Sequence, residues 1–260
     1  MEWPESHYNN EKTMLDPVLK NLNEILGRIE VACIRSGRKP SEVRLLLATK
    51  TVDAEKILLA LRSGQTLIGE NKVQEVKAKY EALKDIPHEK HFIGHLQSNK
   101  IKDILKYGVT CVQSLDRLEL ARKLHQRLTL EKKTMDVFIQ VNTSGESSKF
   151  GARPDDAVEL VRQVAELDTL RIKGLMTIGL FSAEPEKVRA CFKLLRSVQR
   201  QIEEARIPDI SVRELSMGMS SDLEIAIEEG ATIARVGTAI FGQRIYPDSY
   251  YWDEGKDGDS

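Results

Sequence analysis

The sequence has little net charge and few cysteines. Lysine and arginine number 39 against 40 for aspartate and glutamate, so no net field draws the chain to nucleic acid or to an anionic membrane. The three cysteines, Cys33, Cys111 and Cys191, are odd in number and far apart, and each stands in an apolar segment. They therefore predict reduced thiols in a core rather than a disulfide framework.

Long apolar runs are also absent. No stretch approaches the roughly 18 apolar residues that a membrane-spanning helix needs. The first ten residues, MEWPESHYNN, contain two acids and no arginine, which is unlike a secretory or organellar leader. We therefore expect a cytoplasmic protein with neither a membrane nor a nucleic-acid partner.

Motifs of several common enzyme classes are missing as well. The sequence contains no nucleophile elbow, no P-loop and no dinucleotide-binding fingerprint. His91 and His95 stand without a cysteine, aspartate or glutamate at metal-ligand spacing, so we expect no metal site. These absences leave the order of strands and helices as the main guide to function.

Strand-like and helix-like segments alternate along most of the chain. A helical pattern over 15–34 precedes a short apolar run at 43–49, of the kind that buried parallel strands show. Seven further strands are predicted at 66–69, 91–94, 109–113, 135–141, 172–178, 212–215 and 232–236. Seven helices are predicted between the strands, at 53–63, 71–84, 98–106, 115–130, 154–167, 184–205 and 221–229. This alternation indicates βα units and a parallel sheet.

Eight regular units favour closure of that sheet into a single (β/α)8 TIM-type barrel with an extra N-terminal helix, over an open doubly wound sheet. The length of 260 residues suits such a barrel, and no linker rich in proline, glycine or serine interrupts the pattern. We therefore predict one domain over 15–245, and we expect the polar ends, 1–14 and 246–260, to be disordered.

Chemically distinctive residues fall just past the carboxyl ends of the predicted strands. Lys50 follows the first strand and Asn71 the second, while Ser216 follows the seventh. In a barrel these ends converge on the face where active sites of this fold lie. Burial disfavours an ammonium, so an enclosed Lys50 would present a neutral amine able to attack an aldehyde. A lysine that reaches solvent from a strand end is the ordinary alternative.

The loop after the seventh predicted strand has features suited to an anion. Within SMGMSSDLE (216–224), Gly218 permits a close backbone approach, and Ser221 with Glu224 has the spacing of a capping box that opens a helix. Unpaired N–H groups at such a helix start bind phosphate, although an ordinary helix start has the same sequence pattern.

The eighth strand and its loop add Arg235, Gly237 and Thr238, which supply a guanidinium, an unshielded backbone and a hydroxyl. Barrels of this kind often hold phosphate in the loops after strands seven and eight. A phosphate site beside a lysine able to form a Schiff base predicts pyridoxal 5'-phosphate (PLP) as the cofactor.

Several longer segments allow a comparison with a known family. They are LLLATK ending at Lys50, IGENKVQE at 68–75, HFIGHLQSNK at 91–100, GLMTIG at 174–179, LSMGMSSDLEIAI at 215–227 and RVGTAIFG at 235–242. On these segments the sequence resembles the pyridoxal phosphate homeostasis protein family, whose fold is similar to the N-terminal barrel of alanine racemase. The run at 91–100 is highly specific, but members usually carry an aromatic residue where this chain has Lys90.

The resemblance covers about 15–245 and implies a role for each matching residue. It implies that Lys50 forms the Schiff base with PLP and that Asn71 lies beside the cofactor ring. By the same matching, the cofactor phosphate is surrounded by Ser216, Gly218, Met219, Arg235, Gly237 and Thr238. The implied function is vitamin B6 homeostasis, in which the protein holds the cofactor and hands it over to apo PLP enzymes.

An amino-acid racemase would need a second acid/base on the opposite face of its substrate. Alanine racemases supply a tyrosine there from an appended β-domain, whereas Tyr246, Tyr250 and Tyr251 fall in a polar tail. Glu70 and a polar loop at 147–151, which could cover the barrel mouth, are the internal candidates for acid/base work and gating. We therefore expect no robust turnover, with a racemase-like PLP enzyme or a Schiff-base aldolase without the cofactor as the alternatives. The expected state is a monomer or a weak homodimer.

Overall fold

The computed structural model describes residues 16–243, which form a closed barrel of eight parallel strands. Each strand pairs with the next one along the chain, and the last pairs with the first. The strands are β1 (Arg44–Ala48), β2 (Leu67–Glu70), β3 (Glu89–Phe92), β4 (Cys111–Leu115), β5 (Met135–Gln140), β6 (Leu170–Met176), β7 (Glu214–Ser216) and β8 (Ile233–Val236). The predicted barrel is therefore confirmed, while the predicted tails at 1–14 and 246–260 lie outside the described residues.

Helices surround the barrel and fill the connections between strands. They are α1 (Pro17–Arg35), α2 (Ala54–Arg62), α3 (Val73–Leu83), α4 (Ile101–Lys106), α5 (Leu118–Glu131), α6 (Ala157–Ala165), α7 (Pro185–Glu204), α8 (Leu223–Glu228) and α9 (Thr238–Phe241). The short α9, which follows β8, was not among the predicted helices. Between residues 16 and 243, no helix is long and apolar enough to cross a membrane.

Apolar side chains cover both sides of the strands, as in other doubly covered parallel sheets. In β1, Leu45 and Leu47 pack against the surrounding helices. Leu46, between them, packs inside the barrel with Phe138 and Met176. The alternation of side chains along a strand thus gives each residue one of two apolar environments.

Helix α1 packs against the last two helices. The side chain of Asp16 accepts a hydrogen bond from Val18 N at 2.8 Å and caps the helix start. Farther along α1, Asn21 Nδ2 donates to Ile240 O at 3.1 Å. Arg28 Nε donates to Glu224 Oε1 at 2.7 Å, so α1 is joined to both α8 and α9.

The contact with Arg28 corrects one sequence prediction. Helix α8 begins at Leu223 with Asp222 as its N-cap, and that cap has no side-chain hydrogen bond to the helix start. The predicted capping box of Ser221 and Glu224 is wrong, because the Glu224 carboxylate pairs with Arg28 instead.

Candidate cofactor site

Lys50 is the second residue after β1, at the carboxyl-terminal mouth of the barrel. Its side chain is 6% exposed. It lines a cavity of about 120 Å³ together with Gly237 and Thr238, which follow β8. The fold therefore brings together three of the predicted site residues, from the ends of the first and last strands.

A larger cavity of about 840 Å³ lies at the opposite end of the barrel, where the chain enters β6 and β7. It is lined by residues such as Asp168, Ile207 and Arg213, and by none of the predicted site residues. Because ligand sites of this fold lie at the carboxyl ends of the strands, the smaller cavity is the better candidate.

Two glycines shape the loops after β7 and β8. A Cβ on Gly237 would lie 2.6 Å from Ala48 O, so only glycine lets the start of α9 approach the end of β1. Gly218 has a φ of +92°, and a Cβ there would overlap the Ala226 side chain. Gly237 thus packs on the end of β1 and Gly218 on α8, which explains these glycines by packing before any ligand is considered.

Arg235 lies in the interior beneath the mouth and is 5% exposed. Its Nη1 donates to Ser216 Oγ at 2.9 Å, and its Nη2 donates to Thr177 O at 2.7 Å. Burial lowers the pKa of Arg235 to about 10, and the carboxylate of Asp222 partly offsets this shift. The guanidinium thus remains charged at neutral pH.

A line of hydrogen bonds continues from Ser216 across the barrel interior. A guanidinium can only donate, so the Ser216 hydroxyl donates onward to Gln113 Oε1, 2.6 Å away. The amide nitrogen of Gln113 then faces His91 Nδ1 at 2.8 Å. His91 must accept at Nδ1 and carry its proton on Nε2, which lies 3.5 Å from Glu89 Oε2. Burial lowers the pKa of His91 to about 4, so the imidazole is neutral.

Asn71 lies in the loop after β2 and Met219 in the loop after β7, and both are half-buried. Asn71 does not cap α3, because Lys72 is the N-cap residue. A Cβ on Gly94 would overlap the carbonyl of Asn71, so glycine lets the loop after β3 pack on the Asn71 backbone. Met219 N donates to Asp222 Oδ1 at 2.5 Å, which fixes the loop after β7.

Glu70 faces away from the mouth. Its neighbour Gly69 contacts interior side chains, so alternation along β2 turns Glu70 toward α3. Its Oε1 accepts from Thr49 Oγ1 at 2.6 Å and from Lys79 Nζ at 2.8 Å, while the buried Oε2 has no hydrogen-bond partner. Burial raises the pKa of Glu70 to about 7, opposed by the charge of Lys79. This orientation removes Glu70 from the candidates for acid/base work in the barrel.

The polar loop at 147–151 is held against the mouth. Gln140 Nε2 donates to Phe150 O at 3.0 Å, and Lys149 Nζ donates to Gly179 O at 2.8 Å. The Phe150 ring stacks on His95, with 3.8 Å between ring centroids. The loop therefore contacts residues at or just past the ends of three strands, β3, β5 and β6.

Comparison with known proteins places this geometry in a family. The family model described as alanine racemase, N-terminal domain, matches residues 29–245. A pyridoxal phosphate homeostasis protein of Aquifex aeolicus is 44% identical over 227 residues, which cover 87% of this chain and 98% of that protein. The chain belongs to the pyridoxal phosphate homeostasis protein family.

Solved structures agree with this assignment. A protein of unknown function from Bifidobacterium adolescentis is 40% identical with a TM-score of 0.83, and the match covers 86% of this chain and 94% of that one. PipY of Synechococcus elongatus, solved with PLP bound, is 33% identical with a TM-score of 0.72 over 84% of this chain and 100% of that one. The recognition made from the sequence is thus confirmed.

Sequence reasoning missed two interior residues, Gln113 and His91, which continue the hydrogen bonds from Ser216 below the mouth. Gln113 was not singled out, and His91 was rejected as a metal ligand and otherwise noted only as part of the HFIGHLQSNK segment. A usable signal existed, because Gln113 lies two residues after Cys111 in β4 and therefore on the same face of the strand. Cys111 packs inside the barrel. A polar residue on the inward face of a buried strand must find a hydrogen-bond partner there.

Proposed function

We propose that this chain binds pyridoxal 5'-phosphate covalently through Lys50, holds it, and hands it to enzymes that require it. The observation that carries the proposal is the cavity in which Lys50 meets Gly237 and Thr238. An amine, an open glycine backbone and a hydroxyl at one barrel mouth fit a phosphorylated aldehyde. The names of the relatives and the PLP-bound PipY structure support the same cofactor.

Each site residue has a proposed part in holding the cofactor. When bound, PLP supplies an aldehyde for condensation with an amine and a ring that withdraws electrons. The low exposure of Lys50 keeps water from competing at its amine. Gly237 and Thr238 bind the phosphate from one side, and the loop with Ser216, Gly218 and Met219 binds it from the other.

Arg235 and Asn71 complete the proposed site. The charge of Arg235, buried beneath the mouth, attracts the anionic cofactor through a medium that screens it weakly. Asn71, at the end of β2, presents an amide that can bond a polar atom of the ring.

Holding rather than conversion is the proposed role, because a converting enzyme needs a second proton-transfer group. Within residues 16–243, the internal candidate Glu70 faces α3 and not the mouth. We propose a cytoplasmic protein, since its three cysteines are buried and unpaired as in reducing compartments. It acts as a monomer or a weak homodimer, and apo PLP enzymes are its partners.

The site is tested by chemical trapping. After incubation with PLP and reduction with borohydride, peptide mapping should find one pyridoxyl group, on Lys50. Lys50→Ala should abolish the label. Lys56→Ala is the matched control, because Lys56 lines the same cavity, and it should retain the label on Lys50. A label on Lys56 or on any other lysine would show the site assignment to be wrong.

The role is tested by transfer. Holoprotein is mixed with an apo PLP enzyme, and the rate of enzyme reactivation is compared with the rate at which PLP is released into buffer. Reactivation faster than release supports direct hand-over. Reactivation limited by release would reduce the function to storage.

A further inference from the structure

The turn that carries Lys50 has an unusual backbone. Val52 N donates to Thr49 O at 3.0 Å and closes a four-residue turn, with Lys50 and Thr51 at its corner. Thr51 has a φ of +61°, a left-handed conformation that is rare for a β-branched residue. Glycine or asparagine normally occupies this position when a turn requires positive φ. The surrounding fold must therefore hold Thr51 in place.

Charged side chains of α3 bind the peptide groups on both sides of the corner. On one side, Lys79 Nζ donates to Thr49 O at 2.6 Å. On the other, Thr51 N donates to Glu75 Oε2 at 2.6 Å. Lys79 also bridges two carboxylates, at 2.8 Å from Glu70 Oε1 and 2.7 Å from Glu75 Oε2. The turn is thus held from outside the barrel by one connected cluster.

The charged side chains of the cluster are largely shielded from water, whereas the Thr51 N–H that Glu75 accepts lies at the surface. The side chains of Glu70, Lys79 and Glu75 are 1%, 12% and 17% exposed. Charge-assisted hydrogen bonds in such a setting are stronger than neutral ones and are screened little by salt. By contrast, the pair between Glu81 on the same helix and Lys84, its C-cap, has side chains that are 75% and 43% exposed.

We propose that Glu70, Lys79 and Glu75 are positioning residues for Lys50. They hold the peptide groups on both sides of the lysine, stabilise the left-handed Thr51, and so direct the amine into the cavity at the mouth. Their contacts with the turn are made to its backbone, at Thr49 O and Thr51 N, and they act on Lys50 through that backbone. The inference rests on the proposed attachment of PLP to Lys50.

The first test compares two substitutions at one position. Glu75→Ala removes the acceptor of the Thr51 N–H and should weaken PLP attachment to Lys50 roughly tenfold, the size of one charge-assisted hydrogen bond. Glu75→Gln keeps an oxygen at that point and should restore most of the loss. Glu81→Ala, on the exposed part of α3, should attach PLP as the wild type does.

The second test removes the backbone strain at Thr51 instead of the hydrogen bond that Glu75 accepts from it. Glycine adopts positive φ without penalty, so Thr51→Gly places less demand on the cluster. Adding Thr51→Gly to Glu75→Ala should therefore recover part of the lost attachment. If PLP attachment in the double variant is weaker than the two single effects together predict, the account of the turn is wrong.

The third test needs no cofactor. Trace acetylation of the apo protein with acetic anhydride, read by mass spectrometry, reports the accessibility of each lysine. Glu75→Ala should raise acetylation of Lys50 several-fold and leave Lys90, which is 5% exposed elsewhere in the barrel wall, unchanged. An equal rise at both lysines would show general loosening and overturn the positioning role.

The two proposals fail in different ways. If the wild-type protein attaches no PLP at Lys50, the proposed function falls, while the ratio of Lys50 to Lys90 acetylation still tests the cluster. If the wild type attaches PLP and Glu75→Ala does so equally well, with unchanged acetylation, the positioning role falls and the proposed function stands.

Discussion

The guanidinium of Arg235 donates a hydrogen bond to the hydroxyl of Ser216 at 2.9 Å, across neighbouring strands β8 and β7. The same hydroxyl donates to Gln113 Oε1 on the far side of the barrel, at 2.6 Å. Because both bonds are buried, neither group can be lost without leaving an unsatisfied partner. The residues expected to surround the cofactor therefore behave as one unit with the barrel interior.

Loss of the Arg235 charge should weaken retention of PLP. Arg235→Ala removes a buried cation beneath the mouth, and the cofactor should dissociate on the order of tenfold more readily, since charge-assisted contacts contribute about 1.5–3 kcal/mol. Equilibrium dialysis measures the effect. Lys90→Ala is the control, because Lys90 is also a buried cation but donates to Tyr107 O at 3.0 Å. Equal losses of PLP retention in the two variants would show that Arg235 affects the cofactor only by stabilising the fold.

Binding should depend on the phosphate and on the glycine beside it. Gly237→Ala pushes the start of α9 away from Ala48, so affinity for PLP should fall about tenfold or more. The wild type should bind unphosphorylated pyridoxal weakly, and Gly237→Ala should change that affinity little. Calorimetric titration with both ligands measures this, and equal affinity of the wild type for the two would remove the phosphate site.

A second glycine provides the control for that substitution. A Cβ on Gly27, within α1, would meet nothing within 4 Å. Gly27→Ala should leave binding unchanged and stabilise the fold by about 0.5–1 kcal/mol, because alanine is the better helix former.

His91 should make stability depend on pH. Its pKa is lowered to about 4 from an ordinary 6.5, so the unfolded chain binds more protons between those values. Stability from this group therefore rises with pH through that window, is complete above it, and is lost toward pH 4. At about 1.4 kcal/mol per unit, the shift from 6.5 to about 4 amounts to roughly 3–4 kcal/mol. His91→Gln should flatten the dependence in urea unfolding curves.

The shifted pKa of Glu70 should make folding stability depend on pH in the opposite direction. Its pKa is raised to about 7 from 4.5, so the folded chain binds more protons between those values and stability falls as pH rises. The two contributions partly cancel in the wild type. The difference between wild type and His91→Gln isolates the histidine, and an unchanged difference from pH 4 to 6.5 would refute the assignment.

Turnover of amino acids should be absent or slow. Lys50 can serve one face of a bound amino acid, and a partner on the other face normally contributes about 10²–10⁴-fold. We expect no Lys50-dependent exchange of the α-proton for a panel of L- and D-amino acids in heavy water. Nuclear magnetic resonance measures the exchange, with Lys50→Ala as the control. Steady exchange at an enzymatic rate would favour the racemase-like alternative.

The barrel was predictable because its signal is repeated. Apolar runs such as that of β1, separated by helices of regular spacing, indicate the fold without any contact being known. The start of β3 was less visible, since Glu89 and Lys90 are charged. They join the strand because β2 pairs with them and because Arg44 Nη2 bonds Glu89 Oε1 at 2.7 Å.

The candidate site was predictable in outline only. The positions of Lys50 and Gly237 follow from the rule that strand ends converge. The direction of Glu70 and the fate of Glu224 do not, because each depends on which cation the carboxylate meets in the fold, and for Glu224 that cation lies on a distant element. Lys79 holds Glu70 from α3, and Arg28 holds Glu224 across 196 residues of sequence. No local pattern reports such a partner.

The contacts of α1 have a consequence for the growing chain. The bond from Asn21 to Ile240 spans 219 residues, and that from Arg28 to Glu224 spans 196. At about 5–20 residues per second, α1 leaves the ribosome roughly 10–40 seconds before these two partners, in α8 and α9, are made. The barrel closes, and Lys50 meets Gly237, in that same late step. A nascent chain stalled before β8 therefore leaves the part of α1 that packs against α9 uncovered, and it has no complete place for a cofactor.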